Sequence, residues 1–152
     1  MGIQYIQGDF FSATNCFLLH ACNCQRNWGS GVAAQFARLF PGAYRQHQII
    51  SANKPGEIQF LPTPAEVDGI ICLFTSDGYG RYVDSPDTIV KNTEKSLKTL
   101  EDFFALRDIG TIKIASPKIN AGLFNVPWEQ TAGLIEDFLI RNPKVEWMVY
   151  SL

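Results

Sequence analysis

The chain has 152 residues, of which 46% are hydrophobic and 18% are charged. This length and composition are typical of one globular domain with its own core, so we predict a single domain over residues 1–152. The formal net charge of −2 argues against general nucleic-acid binding, because nucleic-acid-binding domains are usually basic. No apolar run approaches the ~18 residues that cross a membrane, and we expect no membrane partner.

Cysteine use and the start of the chain both favour a reducing compartment. Three of the four cysteines, Cys16, Cys22 and Cys24, lie close together, unlike the cysteines of a secreted disulfide framework. The first residues alternate like a strand and lack the basic and apolar segments of a signal peptide. We therefore expect a cytoplasmic protein, with the nucleus as a further location to test.

Apolar patterning alternates between strands and helices along the chain. Strands are predicted at Ile3–Gln7, Cys16–Cys22, Ile58–Leu61, Gly69–Thr75, Thr111–Ala115 and Val145–Tyr150. Helices are predicted from Val32 to Phe40, from Pro86 to Phe104 and from Pro127 onward, with Pro41-Gly42 ending the first and Ser85 capping the second. This alternation predicts an α/β fold with a mixed sheet.

Two glycine-bearing segments each follow a predicted strand and precede a predicted helix. The first contains Gly29-Ser30-Gly31-Val32, and the second contains Asn120-Ala121-Gly122-Leu123-Phe124. Such junctions offer backbone N–H groups and the positive end of a helix dipole to an anion. Two of them in one domain predict a ligand with more than one phosphate. The first also matches G-x-G-x-x-A, but its glycines come too long after the strand for a Rossmann dinucleotide site.

Three polar residues at predicted strand ends each allow two interpretations. Asp9 either caps the turn after the first strand or accepts a hydrogen bond from a ligand amine, with Phe10 beside it. Asn23 either stabilises a turn or binds sugar hydroxyls, because an amide both donates and accepts hydrogen bonds. His20 is either a satisfied core histidine or an acid-base group, since imidazole titrates near neutral pH.

The second predicted strand carries possible metal ligands. Alternation places Cys16, His20, Cys22 and Cys24 on one face. Zinc ligands usually come in pairs from a turn, as in Cys-x-x-Cys, whereas the spacing here is Cys-x-Cys. This spacing favours small buried side chains over a metal site, and we expect no metal.

Aromatic residues accompany the loops, whereas standard hydrolase motifs are missing. Trp28, Tyr79 and Phe124 either pack in the core or cover a ligand ring. No Cys is followed six residues later by Arg, and neither a P-loop nor a G-x-S-x-G elbow occurs. Any hydrolysis would depend on bound water, positioning and a general base or acid, without a cofactor.

Several motifs occur in a fixed order along the chain. They are Gly8-Asp9-Phe10, His20-Ala21-Cys22-Asn23-Cys24, Trp28-Gly29-Ser30-Gly31-Val32-Ala33 and the segment Pro117–Trp128. This ordered set resembles the macrodomain family over essentially the whole chain. The His-x-Cys-Asn-Cys, Trp-Gly-x-Gly and Val-Pro-Trp elements are most similar to its branch of fungal ADP-ribose 1″-phosphate phosphatases.

The resemblance implies a three-layer α/β/α fold, a mixed central sheet of about six strands and an ADP-ribose cleft at the strand ends. It implies that Asp9 takes the adenine amine, that the Phe10 backbone contacts the ring, and that Asn23 holds the distal ribose. The implied catalytic residues are His20, near the terminal phosphate, together with Asn23 and Asn120. The other implied substrate contacts are Trp28, Gly29, Ser30, Gly31, Val32, Thr75, Ser76, Ile119, Ala121, Gly122, Leu123 and Phe124.

The implied activity is hydrolysis of ADP-ribose 1″-phosphate to ADP-ribose and phosphate, with no cofactor. Two alternatives remain, namely a hydrolase that removes ADP-ribose from modified macromolecules and a binding module without turnover. The implied partners are ADP-ribose, its 1″-phosphate and ADP-ribosylated macromolecules. We expect a monomer.

Two departures from the family pattern bear on the mechanism. Asn120 stands where a carboxylate beside His20 would be expected, and an amide orients water but cannot accept its proton. The base is then His20 itself, an acid brought in by folding, or a phosphate oxygen of the substrate. Ser76-Asp77 and Phe124 occupy the regions of the lysine and aspartate used by the branch that frees ADP-ribose from protein carboxylates, so we do not expect that mechanism.

Overall fold

The computed structural model describes residues 2–49, 53–63, 66–107 and 110–152. The strands within these ranges are β1 Gln4–Gln7, β2 Phe17–Asn23, β3 Ile58–Leu61, β4 Gly69–Ser76, β5 Ile112–Ser116 and β6 Val145–Ser151. The α-helices within them are α1 Gly31–Leu39, α2 Pro41–Ile49, α3 Pro86–Ala105 and α4 Trp128–Arg141. Short 3-10 turns occur at Phe10–Ser12 and Gly80–Tyr82.

The strands form a six-stranded sheet in the order β1-β6-β5-β2-β4-β3. All neighbouring pairs run parallel except β3, which pairs antiparallel with β4 at one edge of the sheet. The prediction of a mixed sheet is therefore confirmed. Because β1, β2, β4 and β5 run in the same direction, the loops that follow them emerge at the same end of the sheet.

Strand β4 shows how the sheet supports two cores. Every residue of β4 is buried, and alternate side chains face opposite sides of the sheet. Ile71 and Leu73 cluster with residues of α3 and α4, whereas Cys72 and Phe74 cluster with Phe36 of α1. Full burial of a side chain such as Phe36 stabilises the fold by roughly 1.5–3 kcal/mol. Helices thus cover both faces, which confirms the three-layer arrangement.

The start of α3 agrees with its sequence signals. Ser85 precedes the helix, and its hydroxyl accepts a hydrogen bond from the N–H of Thr88 at 3.3 Å. Pro86 occupies the first helical position, where its missing N–H has no intrahelical partner to lose. Asp87 lies in the first turn and interacts favourably with the helix dipole.

The segment after α1 corrects one prediction. Helix α1 ends at Leu39, but Pro41 begins α2 instead of only ending a helix. Proline is well suited to a first helical position, since its φ angle is already helical there. Within α2 only Ala43 and His47 are buried, so α2 lacks the apolar periodicity by which α1 and α3 were predicted.

The sheet joins the two ends of the chain. Strand β1 pairs with β6, and the N–H of Ile3 donates to the carboxylate of Glu136 in α4 at 2.7 Å. The extent of the domain over residues 1–152 stays a prediction. Across the described ranges, no helix has both the length and the hydropathy required to cross a membrane.

Candidate active-site cleft

A cleft of about 580 Å³ opens at the end of the sheet where β2 and β5 finish. This volume is in the usual range of small-molecule sites, ~300–1,000 Å³. Its lining residues are His20, Ala21, Cys22, Asn23, Asn27, Trp28, Ser30, Gly31, Val32, Ala33, Tyr79, Gly80, Pro117, Lys118, Ile119, Asn120, Gly122, Leu123 and Phe124. The lining includes Lys118 but, among the described residues, no Asp or Glu, which favours an anionic ligand.

The loop after β2 is held together by the amide of Asn23. Its Nδ2 donates to the backbone oxygen of Asn27 at 2.9 Å, and its Oδ1 accepts from the N–H of Asn27 at 3.2 Å. The side chain of Asn27 continues the chain of hydrogen bonds, because its Oδ1 accepts from the N–H of Gly29 at 2.8 Å. This geometry favours the turn-stabilising interpretation of Asn23.

Helix α1 begins at the cleft wall. Ser30 is its N-cap residue, but the Ser30 side chain makes no capping hydrogen bond to the helix. Gly31 has a φ of 60°, a conformation that glycine adopts without steric strain. The first-turn N–H groups of α1 therefore lie at the cleft without a side-chain acceptor from Ser30, and they suit an anion.

The loop after β5 is anchored by Asn120. Thr75 of β4 donates to Asn120 Oδ1 at 2.9 Å, and Asn120 Nδ2 donates to Thr93 of α3 at 2.9 Å and to Thr131 of α4 at 3.4 Å. Asn120 is 5% exposed and has a φ of 66°. Its amide is thus engaged with three hydroxyl groups of the fold, which favours a positioning role over direct contact with a reacting atom.

The exposed tip of the second loop reaches across the cleft. Leu123 is 70% exposed, and its Cδ1 lies 3.4 Å from the position that a Cβ on Gly31 would occupy. Gly122 and Phe124 line the cleft on either side of Leu123. The two glycine-bearing loops therefore approach each other, as expected for two parts of one ligand site.

His20 lies in the cleft wall, and aromatic rings fix its orientation. The imidazole is 2% exposed and stacks on Phe36 with ring centroids 4.1 Å apart. Trp28 meets the same imidazole edge-on at 4.9 Å. Trp28 is itself 2% exposed and stacks on His47 and Tyr44, so most of the indole packs in the core even though the residue contributes to the lining.

Two thiols lie beside the His20 imidazole. The Sγ atoms of Cys22 and Cys72 are 3.4 Å and 3.6 Å from His20 Nε2. Burial opposes ionisation of Cys22, but the hydrogen bond from Cys72 and the nearby His20 together hold the Cys22 pKa below its usual value. Burial, followed by the hydrogen bond to Cys22, raises the pKa of Cys72.

This trio differs from the set of metal ligands weighed from the sequence. It recruits Cys72 from β4 and excludes Cys16 and Cys24. Cys22 Sγ is 3.9 Å from His20 Nδ1 and 3.4 Å from Nε2. If the sulfur lay on the lone-pair axis of Nε2, its distance to Nδ1 would exceed its distance to Nε2 by about the width of the ring. The two distances differ by much less, so the lone pair of Nε2 does not point toward the thiol, and these side chains are not oriented to share one ion. The absence of metal stays a prediction.

Six of the predicted site residues lie outside the cleft lining, and four of them are not part of the two glycine-bearing loops. Asp9 caps the turn Phe10–Ser12 by accepting a hydrogen bond from the N–H of Phe11 at 3.0 Å. Phe10 is 7% exposed and packs against Phe11 and Phe36. Thr75 and Ser76 are fully buried, and their hydroxyl groups donate to protein acceptors.

In each of the two loops, one predicted contact does not reach the lining. Gly29 and Ala121 belong to the loops but not to the lining, whereas Ser30, Ile119 and Phe124 do line the cleft. Asn27 and Lys118 were missed by the sequence analysis. The position of Lys118, two residues before the second loop, was the signal available for it.

Comparisons with known proteins define the class to which this fold and cleft belong. The profile of the Macro domain family matches residues 19–135. The chain therefore belongs to the macrodomain family. A protein of Meyerozyma guilliermondii named ADP-ribose 1″-phosphate phosphatase is 37% identical, with 88% of this chain and 92% of the relative covered. A Candida albicans protein of the same name is 36% identical, with 90% and 93% covered.

Solved structures support the same fold. The macrodomain of Mycobacterium tuberculosis DarG superposes with a TM-score of 0.85 at 22% identity, covering 100% of this chain and 99% of that one. Thermosipho africanus DarTG, solved in complex with ADP-ribose, superposes with a TM-score of 0.81 at 16% identity, covering 98% of this chain and 41% of that one. The predicted fold class is confirmed.

Proposed function

We propose that this chain is a phosphatase that hydrolyses ADP-ribose 1″-phosphate to ADP-ribose and phosphate. The observation that carries the proposal is the cleft between two glycine-bearing loops, which no carboxylate lines within the described ranges. Curated relatives that cover about nine-tenths of this chain bear the name of this enzyme. A dianionic diphosphate with a further phosphate is the kind of ligand that such a cleft favours.

The loops supply the binding energy for the phosphates. The first-turn N–H groups of α1, beginning at Gly31, are available to one phosphate because Ser30 does not cap them with its side chain. An anion at a helix N-terminus is favoured by roughly 0.3–1 kcal/mol at an exposed site. Lys118 adds a positive charge to the cleft lining, and Leu123 lies close to Gly31.

Hydrolysis breaks the bond between phosphorus and the ribose 1″ oxygen. Water supplies the oxygen that joins phosphorus, and its protons end on the leaving ribose oxygen and on the released phosphate or solvent. We assign the acid-base role to His20, because it lines the cleft and its ring is fixed by Phe36. Asn23 and Asn120 act as positioning residues, since their amides are engaged within the protein.

The two histidines of the chain offer a matched test. His20→Phe and His47→Phe each remove a buried imidazole and keep an aromatic ring, but only His20 belongs to the cleft lining. We expect His20→Phe to lower the rate of phosphate release about 10²–10⁴-fold, the usual contribution of a general acid or base. The rate per folded molecule of His47→Phe should match that of the wild type.

The same assay separates the alternative functions. Absence of phosphate release by the wild type would refute the phosphatase proposal, as would an unchanged rate for His20→Phe. Release of ADP-ribose from a modified macromolecule without phosphate release would select the glycosidic hydrolase. Binding of ADP-ribose without turnover of either substrate would select a binding module.

We also propose that the protein acts as a monomer in the cytoplasm. The chain has a formal net charge of −2 and 46% hydrophobic residues, an ordinary composition for a globular domain, and its four cysteines are free and buried, which suits a reducing compartment. Light scattering during size-exclusion chromatography would measure the mass in solution. Fluorescence of a tagged chain would report whether the nucleus contains it as well.

A further inference from the structure

The loop after β4 brings Tyr79 to the cleft. This loop links Ser76, at the end of β4, to the start of α3. Tyr79 and Gly80 belong to the cleft lining, and Gly80 has a φ of 61°, which allows the sharp turn that follows Tyr79. Tyr79 is 43% exposed, so part of its side chain packs against the protein and the rest is accessible to a ligand.

The Tyr79 hydroxyl accepts a hydrogen bond from Asn27 and keeps its own proton to donate to a ligand. Asn27 Nδ2 donates to the Tyr79 oxygen at 3.2 Å. The opposite end of the Asn27 amide is fixed, because Oδ1 accepts from the N–H of Gly29, and this sets which atom of the amide faces Tyr79. A phenol that accepts from an amide still has its own O–H to donate. An anionic oxygen in the cleft is the natural acceptor.

Strand order shows which part of the ligand Tyr79 faces. Along the sheet, the loops follow in the order β1, β5, β2 and β4, with β6 between β1 and β5. Asp9, after β1, lies outside the cleft lining and uses Oδ1 to cap a turn, but its carboxylate still makes this end of the row suit an amine and repel a phosphate. The two glycine-bearing loops, after β5 and β2, suit the diphosphate. The span from β1 to β4 is four strand spacings, or about 19 Å, so an extended ligand with its amine near Asp9 has its distal end at Tyr79.

We propose that Tyr79 donates a hydrogen bond to the terminal phosphate of ADP-ribose 1″-phosphate and thereby favours this ligand over ADP-ribose. The inference rests on the proposed function, because it takes the phosphorylated ribose as the distal group. Asn27 is the positioning residue for this contact, since it orients the Tyr79 hydroxyl. The loop that carries Tyr79 is thus part of the substrate site and confers selectivity for the phosphate ester.

The test compares Tyr79→Phe with Tyr82→Phe. Both variants remove one phenolic oxygen from the same loop, but Tyr82 is 72% exposed, receives its hydrogen bond from Arg81 and does not belong to the cleft lining. Steady-state phosphate release gives kcat and KM for ADP-ribose 1″-phosphate, and competition gives the inhibition constant of ADP-ribose. Thermal melting shows whether each variant is folded.

We expect Tyr79→Phe to lower kcat/KM roughly tenfold to a hundredfold, the range for a lost hydrogen bond to a charged group. The inhibition constant of ADP-ribose should change less than twofold, and Tyr82→Phe should match the wild type. An unchanged kcat/KM for Tyr79→Phe would overturn the inference, and so would an equal weakening of both ligands.

Failure of the proposed function would give a different result. In that case the wild type would release no phosphate, and the dissociation constant of intact ADP-ribose 1″-phosphate could be measured directly by calorimetry. Weaker binding of this ligand to Tyr79→Phe, with unchanged ADP-ribose binding, would then still support the Tyr79 contact. Equal affinities for both proteins would refute it.

Discussion

Replacement of Asn120 by alanine tests whether this residue acts through the fold. In the native chain its amide joins Thr75 of β4, Thr93 of α3 and Thr131 of α4. Asn120→Ala removes all three contacts at a position that is 5% exposed. It also leaves the Thr75 hydroxyl, which is fully buried, without the acceptor that it now uses.

The magnitude follows from the geometry. The two hydrogen bonds at 2.9 Å each contribute about 1 kcal/mol net to the free energy of unfolding. Asn120 also has a φ of 66°, a left-handed conformation that asparagine tolerates but that costs alanine about 1 kcal/mol. The sum predicts that Asn120→Ala lowers the free energy of unfolding by about 3 kcal/mol.

Urea denaturation followed by tryptophan fluorescence measures this loss. Asn120→Gly is the matched control, because glycine loses the same hydrogen bonds but adopts the left-handed backbone without strain. It should be less destabilised than Asn120→Ala by about 0.5–1 kcal/mol. The reasoning would be refuted by an Asn120→Ala chain whose stability is within about 0.5 kcal/mol of the wild type, particularly if phosphate release were lost at the same time.

Two further predictions follow from shifted pKa values. Hydrogen bonds from Arg141 and Asn142 hold the pKa of Glu101 at about 2, below its usual value. The wild type should therefore be more stable than Glu101→Gln by about 1 kcal/mol at pH 7, and the difference should shrink as pH falls below the usual glutamate pKa toward 2. Urea denaturation at each pH measures the difference, and equal values at the two ends of the pH series would contradict this. Burial, followed by nearby carboxylates, raises the pKa of Cys24 to about 12, whereas that of Cys22 is lowered. Iodoacetamide should therefore leave Cys24, which is 6% exposed, unmodified in the folded chain and modify it in urea, as located by fragment mass spectrometry; modification of Cys24 in the folded chain would refute this.

The elements of the fold were predictable because their signals are local. Strand β3 occupies the predicted residues Ile58–Leu61, and the Ser85-Pro86 pair marks the start of α3 as expected. Helix α2 was missed because its sequence is mostly polar and its two buried residues, Ala43 and His47, form no recognisable stripe. Its stability depends on packing against the rest of the chain, which no local pattern records.

The candidate site was predictable in position but less so in the role of each residue. The two glycine-bearing loops were identified from strand ends and glycine spacing, and both line the cleft. Whether an amide contacts a ligand or the protein depends on partners that are distant in sequence. Asn120 bonds to residues of β4, α3 and α4, and Tyr79 acquires its cleft position through Asn27.

The reach of Leu123 toward Gly31 has a kinetic consequence. The side chain approaches Gly31 of the other loop, yet 70% of its surface is exposed. An exposed leucine changes rotamer within picoseconds to nanoseconds. Rotation about its side-chain bonds alone therefore moves Leu123 away from Gly31 on that timescale. We expect the association rate of the ligand to be limited by diffusion and electrostatic attraction. The residence time of the ligand is then set by its dissociation rate.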